Sequence, residues 1–361
     1  MRLCVNLKLN MRATNATGSV GNTLNVPLLE FRMQDNFSRR GLLKASAAGA
    51  VLGLVASAQA TLGKPGAAAP TAGAKRSRAV RLAHLTDVHI QPERGAGDGF
   101  AQCLKHVQNL SDKPQLIVTG GDLIMDGFAA DDARTALQWD LFTKVLNDNS
   151  GLRVEHTLGN HDIWGWNKSK SGSSGQERGW GKARAVEVLG LAKRHHSYDT
   201  AGWHIVHLDS VHIDPNDANG YIGKIDDEQM DWLKGDLSAV KPGTHTLVVS
   251  HIPILTATVL LDRPKKDGAF RVSGGEMHTD SIVLRELFER VGHVRACISG
   301  HIHRIDRVDF RGIQYRCNGA VSGSWWKGPN AEAVEGYTLV DLFDDGTVEC
   351  EYVSYGWNAR D

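Results

Sequence analysis

Five clusters of metal-ligating side chains, each at the carboxyl end of an apolar run, constrain this chain more than any other feature. Asp87-Val88-His89 closes the run from Val80 to Thr86, and Gly121-Asp122 follows Leu116 to Thr119. Gly159-Asn160-His161-Asp162 follows Val154 to Leu158, His251 follows Thr246 to Ser250, and Gly300-His301-Ile302-His303 follows Val294 to Ile298. In open α/β sheets, ligands gather just outside the carboxyl ends of the strands. Asp87 and His89 flank one residue, as do His301 and His303, so in an extended segment each pair faces one way. A carboxylate and an imidazole on one face make a two-point chelate. Each cluster alone is common; all of them together at strand ends are not a chance pattern.

The stretches between these runs carry helical spacing. Helices are predicted over Phe100 to Leu110, Ala129 to Leu146, Lys182 to Lys193, Asp226 to Leu237 and Ser281 to Val291. Trp203 to Asp209 alternates like an edge strand, and His212 and Asp214 after it fit either a metal or a turn. His195 and His196 are neighbours, and strand neighbours face opposite ways, which argues against a joint metal role. After His303 the helices stop. Arg307 to Phe310, Ile313 to Cys317, Tyr337 to Leu342 and Val348 to Val353 are predicted strands, with hairpin turns at Arg311-Gly312 and Asp345-Gly346. Strands alternating with helices, then an antiparallel stretch, predict an α/β chain. The expected architecture is a four-layer α/β/β/α sandwich of two mixed sheets with outer helices. The catalytic domain is placed at 80–361, with an antiparallel C-terminal β portion from 309.

Two aromatic-bearing loops adjoin the clusters. Ile163 to Trp180 is long, polar and rich in Gly and Ser, and holds Trp164, Trp166 and Trp180. A long loop beside a suspected site is a lid or a mobile insertion, and its tryptophans, Trp164 and Trp166 foremost, favour a substrate-facing role. Gly319 to Trp326 is a second Gly/Ser loop. It ends in two large aromatics, Trp325 and Trp326.

The ordered set DxH, GD, GNH, H and GHxH resembles the calcineurin-like metallophosphoesterase superfamily, and the resemblance runs from Val80 to about Asp306. It implies a dinuclear-metal phosphoester hydrolase. Asp87, His89, Asp122 and His303 would hold one divalent metal; Asp122, Asn160, His251 and His301 would hold the other, with Asp122 bridging. Carboxylate, imidazole and amide donors suit Mn, Fe or Zn. A hydroxide between the metals would attack phosphorus. His161 is not a ligand in this family; it assists the leaving group, oriented by a carboxylate for which Asp126 and Asp162 are the candidates. The resemblance also implies that the loop from Gly319 to Trp326 lies near the metals, where Trp325 or Trp326 would stack on a substrate base or wall the pocket; alternatively both pack against the late strands.

Met125 stands where purple acid phosphatases carry a tyrosine ligand, and Gly121 to Gly127 lacks the arginine of the protein phosphatases' GDxxDRG block. Tyr221-Ile222-Gly223 followed by Glu228 to Leu233 resembles bacterial cyclic-nucleotide-phosphodiesterase-like members. The substrate class is a small phosphoester: a cyclic nucleotide or other diester is favoured, a monoester, envelope phospholipid or nucleotide is the alternative. A fold that kept its shape and lost its chemistry would lack ligands, and none is missing here. A zinc peptidase would need an HExxH that is not present.

The first 60 residues read as a leader. Ser38-Arg39-Arg40-Gly41-Leu42-Leu43-Lys44 resembles a twin-arginine export motif. The Ala-rich run from Ala45 to Ala56 is shorter than a span needs. Ala58-Gln59-Ala60 fits a signal-peptidase site. Met33, just upstream of the arginines, is the expected start of translation. Residues 61–79 are predicted as a flexible linker. This implies the twin-arginine export machinery as a partner, a periplasmic or secreted location, and no integral membrane segment after cleavage. A formal net charge of zero gives no sign of nucleic-acid polymer binding. Cys103, Cys297, Cys317 and Cys350 lack zinc-knuckle spacing. Free thiols are expected, with a Cys317–Cys350 bridge as the alternative.

Overall fold

The computed structural model describes residues 76–360 except 262, 263 and 265. The leader, its cleavage site, Met33, Cys4 and the linker up to residue 75 lie outside the described residues. In chain order the elements are β1 (Arg78–Leu85), α1 (Ala96–Gln108), β2 (Leu116–Thr119), α2 (Asp132–Asn149), β3 (Arg153–Glu155), α3 (Lys168–Ser171) and α4 (Ala183–Val188). There follow β4 (His196–Thr200), β5 (Trp203–Leu208), β6 (Val211–Ile213), β7 (Tyr221–Gly223), α5 (Asp227–Ala239) and β8 (His245–Ser250). The remainder is α6 (Ser281–Val291), β9 (Val294–Ser299), β10 (Asp306–Phe310), β11 (Ile313–Cys317), β12 (Gly336–Phe343) and β13 (Val348–Ser354).

Two sheets organise these strands. One has the order β13-β12-β1-β2-β3, the other β10-β11-β9-β8-β5-β4. Strands β1, β2 and β3 run parallel, as do β5, β8, β9 and β11; the outer pairings are antiparallel, so both sheets are mixed. The two C-terminal hairpins separate: β10-β11 extends one sheet and β12-β13 the other.

Strand periodicity explains the layering. Leu82 points between the sheets, where it joins Val118, Ile205, Val249, Ile298 and Val340. Its neighbour Ala83 points the other way, into a cluster with Phe100, Leu104, Trp139 and Phe142 of α1 and α2. Across the sandwich, Val206, Val248 and Cys297 meet Leu233 of α5 and Leu284 and Phe288 of α6. Strands buried on both faces read as unbroken apolar runs, which is why these runs stand out in the sequence. The result is the expected mixed α/β sandwich with outer helices.

Local chemistry moves several boundaries. The strand predicted from Val80 starts at Arg78, so the last two residues of the predicted linker belong to β1. Helix α2 begins three residues late because Asp131 caps it, accepting from the Arg134 N–H at 2.7 Å. The helix predicted over 182–193 shrinks to Ala183–Val188, because Gly190 turns the chain with φ 64°. The strand predicted over 154–158 covers only Arg153–Glu155. Strand β5 is not an edge: it lies between β4 and β8. Among the described residues no helix is long and apolar enough to cross a membrane. The four described cysteines are free thiols.

Candidate metal centre

The strand ends deliver the motif residues to one place, through backbone turns rather than by extended alternation. Strand β1 stops at Leu85 and β9 at Ser299. Beyond them Asp87, His89, His301 and His303 adopt left-handed backbone, with φ between 45° and 72°, and Asp122 does the same at 54°. L-residues other than Gly, Asn and Asp rarely enter this region, and each instance costs about 1–3 kcal/mol. The expectation that Asp87/His89 and His301/His303 each share one face of an extended segment is therefore corrected. The turns instead send His301 and His303 to different partners.

Three overlapping groups result. Asp87, His89 and His303 form one; Asp122, His251 and His301 form another; His89, Asp122 and His161 lie between them, and within each group the ligand atoms all lie within 4.8 Å of one another. In the first, His303 Nε2 stands 3.3 Å from Asp87 Oδ1 and 3.0 Å from His89 Nε2. In the second, His251 Nε2 is 3.2 Å from Asp122 Oδ2, 3.0 Å from Asn160 Oδ1 and 3.2 Å from His301 Nδ1. His89 Nε2 lies 3.6 Å from Asp122 Oδ2, which places that carboxylate between the groups.

Close approach requires the glycines of these motifs. A Cβ on Gly159 would stand 2.1 Å from Asp122 Oδ1, and one on Gly300 would stand 1.9 Å from Thr86 Oγ1 and 2.2 Å from Asp87 Oδ2. Neither position has room for a side chain.

Backbone carbonyls orient the imidazoles. The Nδ1–H of His251 donates to Gly120 O at 2.7 Å, and that of His303 donates to Gly323 O at 2.6 Å. A carbonyl only accepts, so the Nε2 atoms are left for the cluster, the arrangement found around metal-bound histidines. The Nδ1–H of His161 likewise donates to Met125 O, and His161 Nε2 then lies 4.0 Å from Asp122 Oδ2.

The carboxylate expected to orient His161 does something else. Asp162 Oδ2 accepts from the N–H groups of Gly159 (2.8 Å) and Asp122 (2.9 Å). Its Oδ1 accepts from Leu123 (2.8 Å) and Ile124 (3.3 Å). Asp162 thus staples the loop carrying Asp122 to the loop carrying Asn160. Asp126 caps the Ala129 N–H at 2.9 Å. Neither holds the His161 ring, and no side-chain pattern could have signalled the carbonyls that do.

The site's electrostatics call for positive charge. Asp87 and Asp122 are both fully buried. Burial opposes their ionisation, but His303 and His251 respectively hold each carboxyl well below the usual range. Burial also opposes a charge on His251, yet the Asp122 carboxylate outweighs it and lifts that imidazole to about 9. His301, against burial and the His251 charge, drops to about 4. A cation would take the place of the imidazolium protons, and hard carboxylate with borderline imidazole fits a divalent transition metal. The donor set therefore fits such an ion.

The tryptophans divide. Trp164 is buried under the Arg184 guanidinium at 4.1 Å, and its backbone pairs with Gly181. Trp166 packs edge-on to Phe128 at 6.2 Å, with Lys182 over its ring. Trp326 is fully buried, and its indole N–H is shared between the Val88 and His89 carbonyls at 3.0 Å. Trp164 is thus a packing residue, against the expectation that it faces substrate; Trp326 takes the packing alternative, and Trp166 is half-buried against Phe128. Only Trp325 borders the cluster, with its ring 4.8 Å from His303 and 6.0 Å from His89. His212 lies in β6 and Asp214 accepts from the Asn216 N–H in the following turn; neither joins the cluster. His195 leans on Trp232 with ring planes 42° apart, and His196 stacks on His207. Tyr221, whose ring lies 6.3 Å from His301, drew notice in the sequence only as part of a family motif.

No curated protein matches the chain by sequence. Among solved structures it is similar to a dimetal phosphatase from Danio rerio, at 14% identity and TM-score 0.50, covering 78% of this chain and 100% of that one. It is also similar to GAP50, the anchor in the inner membrane complex of Plasmodium (17% identity, TM-score 0.45, 77% and 85% covered). A third is the phosphopantetheinyl hydrolase of Mycobacterium tuberculosis (12%, TM-score 0.40, 68% and 91%). At these identities the first likeness speaks to the fold alone. The family model for calcineurin-like phosphoesterase matches residues 80–304, the span that contains every donor described above, and the chain belongs to that family.

Proposed function

We propose that this phosphoesterase works with two divalent transition metals, Mn, Fe or Zn. Asp87, His89, Asp122 and His303 hold one; Asp122, Asn160, His251 and His301 hold the other. The convergence of these donors about the shared Asp122 carboxylate carries the reading. When bound, such a pair supplies Lewis acidity to phosphoryl oxygens and acidifies water into a nucleophile.

The protein's own groups do the rest. His161, with Nδ1–H committed to Met125 O, keeps Nε2 as the atom that carries a proton for the departing oxygen. Buried Asp162 fixes Asp122 and Asn160 in register, so the donors need not reorganise when substrate arrives. We infer a small phosphoester substrate, with a phosphodiester, a cyclic nucleotide included, ahead of a monoester. The resemblance around Tyr221 to Leu233 supports membership of the bacterial cyclic-nucleotide-phosphodiesterase-like branch and does not itself identify the substrate. The twin-arginine motif at Ser38 to Lys44 supports export to the periplasm or beyond.

The test is metal analysis of the purified chain with turnover of bis-p-nitrophenyl phosphate, p-nitrophenyl phosphate and cyclic nucleotides after loading with Mn, Fe or Zn. Turnover that tracks metal content, with the diester ahead of the monoester, is the expected result. Absence of phosphoester turnover with every metal overturns the reading.

A further inference from the structure

We propose that Trp325 is an aromatic platform for the leaving group, and that the substrate carries a planar π system beside its phosphoester, as an aryl or nucleobase-bearing ester does. The inference rests on the phosphoesterase reading above and names the substrate class of that same site.

Two consecutive tryptophans, Trp325 and Trp326, both take left-handed backbone, at φ 52° and 67°. Such strain persists only where the surroundings enforce it, and it collects at functional sites. Here the enforcing group is Trp326. Its buried ring packs directly over Gly99, where a Cβ would stand 2.2 Å from the indole, and edge-on to Trp357 at 5.8 Å. Its N–H is tied to the backbone of the Asp87-Val88-His89 turn. The loop is further pinned by Ser322, whose hydroxyl donates to Asp87 O at 2.7 Å, and by Gly323 O, which accepts from His303. The residue before this anchor therefore has a fixed position relative to the metal donors.

That residue is half-buried and large. One side of its indole leans on His303, with ring planes 40° apart. Trp325 also borders His89, and so does His161, whose ring meets His89 edge-on at 4.6 Å. The group placed to protonate a leaving oxygen and the aromatic platform thus flank the same imidazole. On this proposal, a leaving group protonated at His161 departs toward Trp325, and an indole face favours an offset-stacked ring over an aliphatic group of equal size. A structural anchor alone would not need a second tryptophan, since Trp326 already fills that role.

The test compares binding of matched, non-hydrolysable ligands to the metal-loaded chain by calorimetry. Benzylphosphonate is set against cyclohexylmethylphosphonate, which keeps the headgroup and size and removes the π system. The methylene phosphonate analogue of adenosine 5′-monophosphate is set against that of ribose 5-phosphate, so neither carries a P–O–C bond to cleave. Wild type should prefer the aromatic member of at least one pair by about 3–10-fold. Trp325→Leu should bring that ratio to about one, and Trp325→Phe should retain part of it. Metal content is measured in each protein, so that a lost cluster is not mistaken for a lost platform. The pair that shows the preference tells a simple aryl group from a nucleobase. Equal binding within both pairs in wild type, or a preference that survives Trp325→Leu, overturns the proposal. If bis-p-nitrophenyl phosphate is still hydrolysed in that case, only the platform fails; if it is not hydrolysed with any metal, the phosphoesterase reading fails with it.

Discussion

Replacing Asp162 by Asn separates a structural staple from a catalytic helper. The carboxylate is fully buried and accepts four backbone N–H groups, two on each oxygen. An amide of the same shape has one acceptor oxygen and one NH2 group. Whichever way it turns, the NH2 faces two backbone donors, either Asp122 and Gly159 or Leu123 and Ile124. Two buried donors then lose their partner, and each costs about 1–3 kcal/mol. The expected loss is therefore about 2–6 kcal/mol, a large share of the ~5–15 kcal/mol typical of a folded domain. Urea unfolding of the metal-free chain measures it without the contribution of bound ions, and the midpoint should fall with little change in slope. Metal affinity should fall as well, because the two loops that slip apart carry Asp122 and Asn160. A loss below about 1 kcal/mol, with metal content intact and only the rate reduced, would refute the staple and restore Asp162 as a partner of His161.

Two other perturbations test the assignments around it. His161→Ala should keep its metals and lose about 10²–10⁴-fold in kcat, since the proposal gives its Nε2 to the leaving group and not to an ion; metal loss on this substitution would make His161 a ligand. His204 of β5 sits between Asp199 (2.7 Å) and Asp236 (2.9 Å). Burial resists its charge, but the hydrogen bonds to Asp236 and Asp199 outweigh it and raise its pKa above the ordinary value. A raised folded pKa gives stability that is full below the unfolded value and lost as pH rises through the folded one. The stability gap between wild type and His204→Asn should therefore be widest below the ordinary imidazole pKa of about 6.5 and narrow as pH rises past it through the raised folded value. A gap that widens with pH would mean His204 folds neutral.

The parts of the fold that were legible are those whose physics repeats along the chain. Strands such as Leu116–Thr119 and Val294–Ser299 are buried on both faces, so they read as apolar runs. Strand β4, with the sequence His196-Ser-Tyr-Asp-Thr200, has no such run; it is held at an edge by its ladder to β5. The β6-β7 ribbon is too short for a periodic signal.

At the candidate site, the donor types could be seen at the ends of apolar runs, and their grouping was implied by the resemblance of the ordered set to a family. The left-handed turns at Asp87, His89, His301 and His303 could not, because Asp and His enter that region more often than most residues but still only in a minority of cases. Nor could the roles of the Met125, Gly120 and Gly323 carbonyls, since every residue has one. Trp325 and Trp326 are the same residue type in adjacent positions, and only packing separates platform from anchor.

The parting of the donors between the sheets has a consequence for how this molecule is assembled. Asp87, His89, Asp122 and Asn160 leave the ends of β1, β2 and β3 on one sheet, whereas His251, His301 and His303 leave β8 and β9 on the other. Two of the three donor groups, Asp87-His89-His303 and Asp122-His251-His301, draw on both sheets. Neither half can chelate by itself in the manner of the finished centre. On the two-metal reading, a bound ion would tie the two sheets together at that end, as a rivet joins two plates. Stripping it should loosen the seam between the sheets before it disturbs either sheet, so amide exchange at the ends of β2 and β8 becomes a gauge of occupancy.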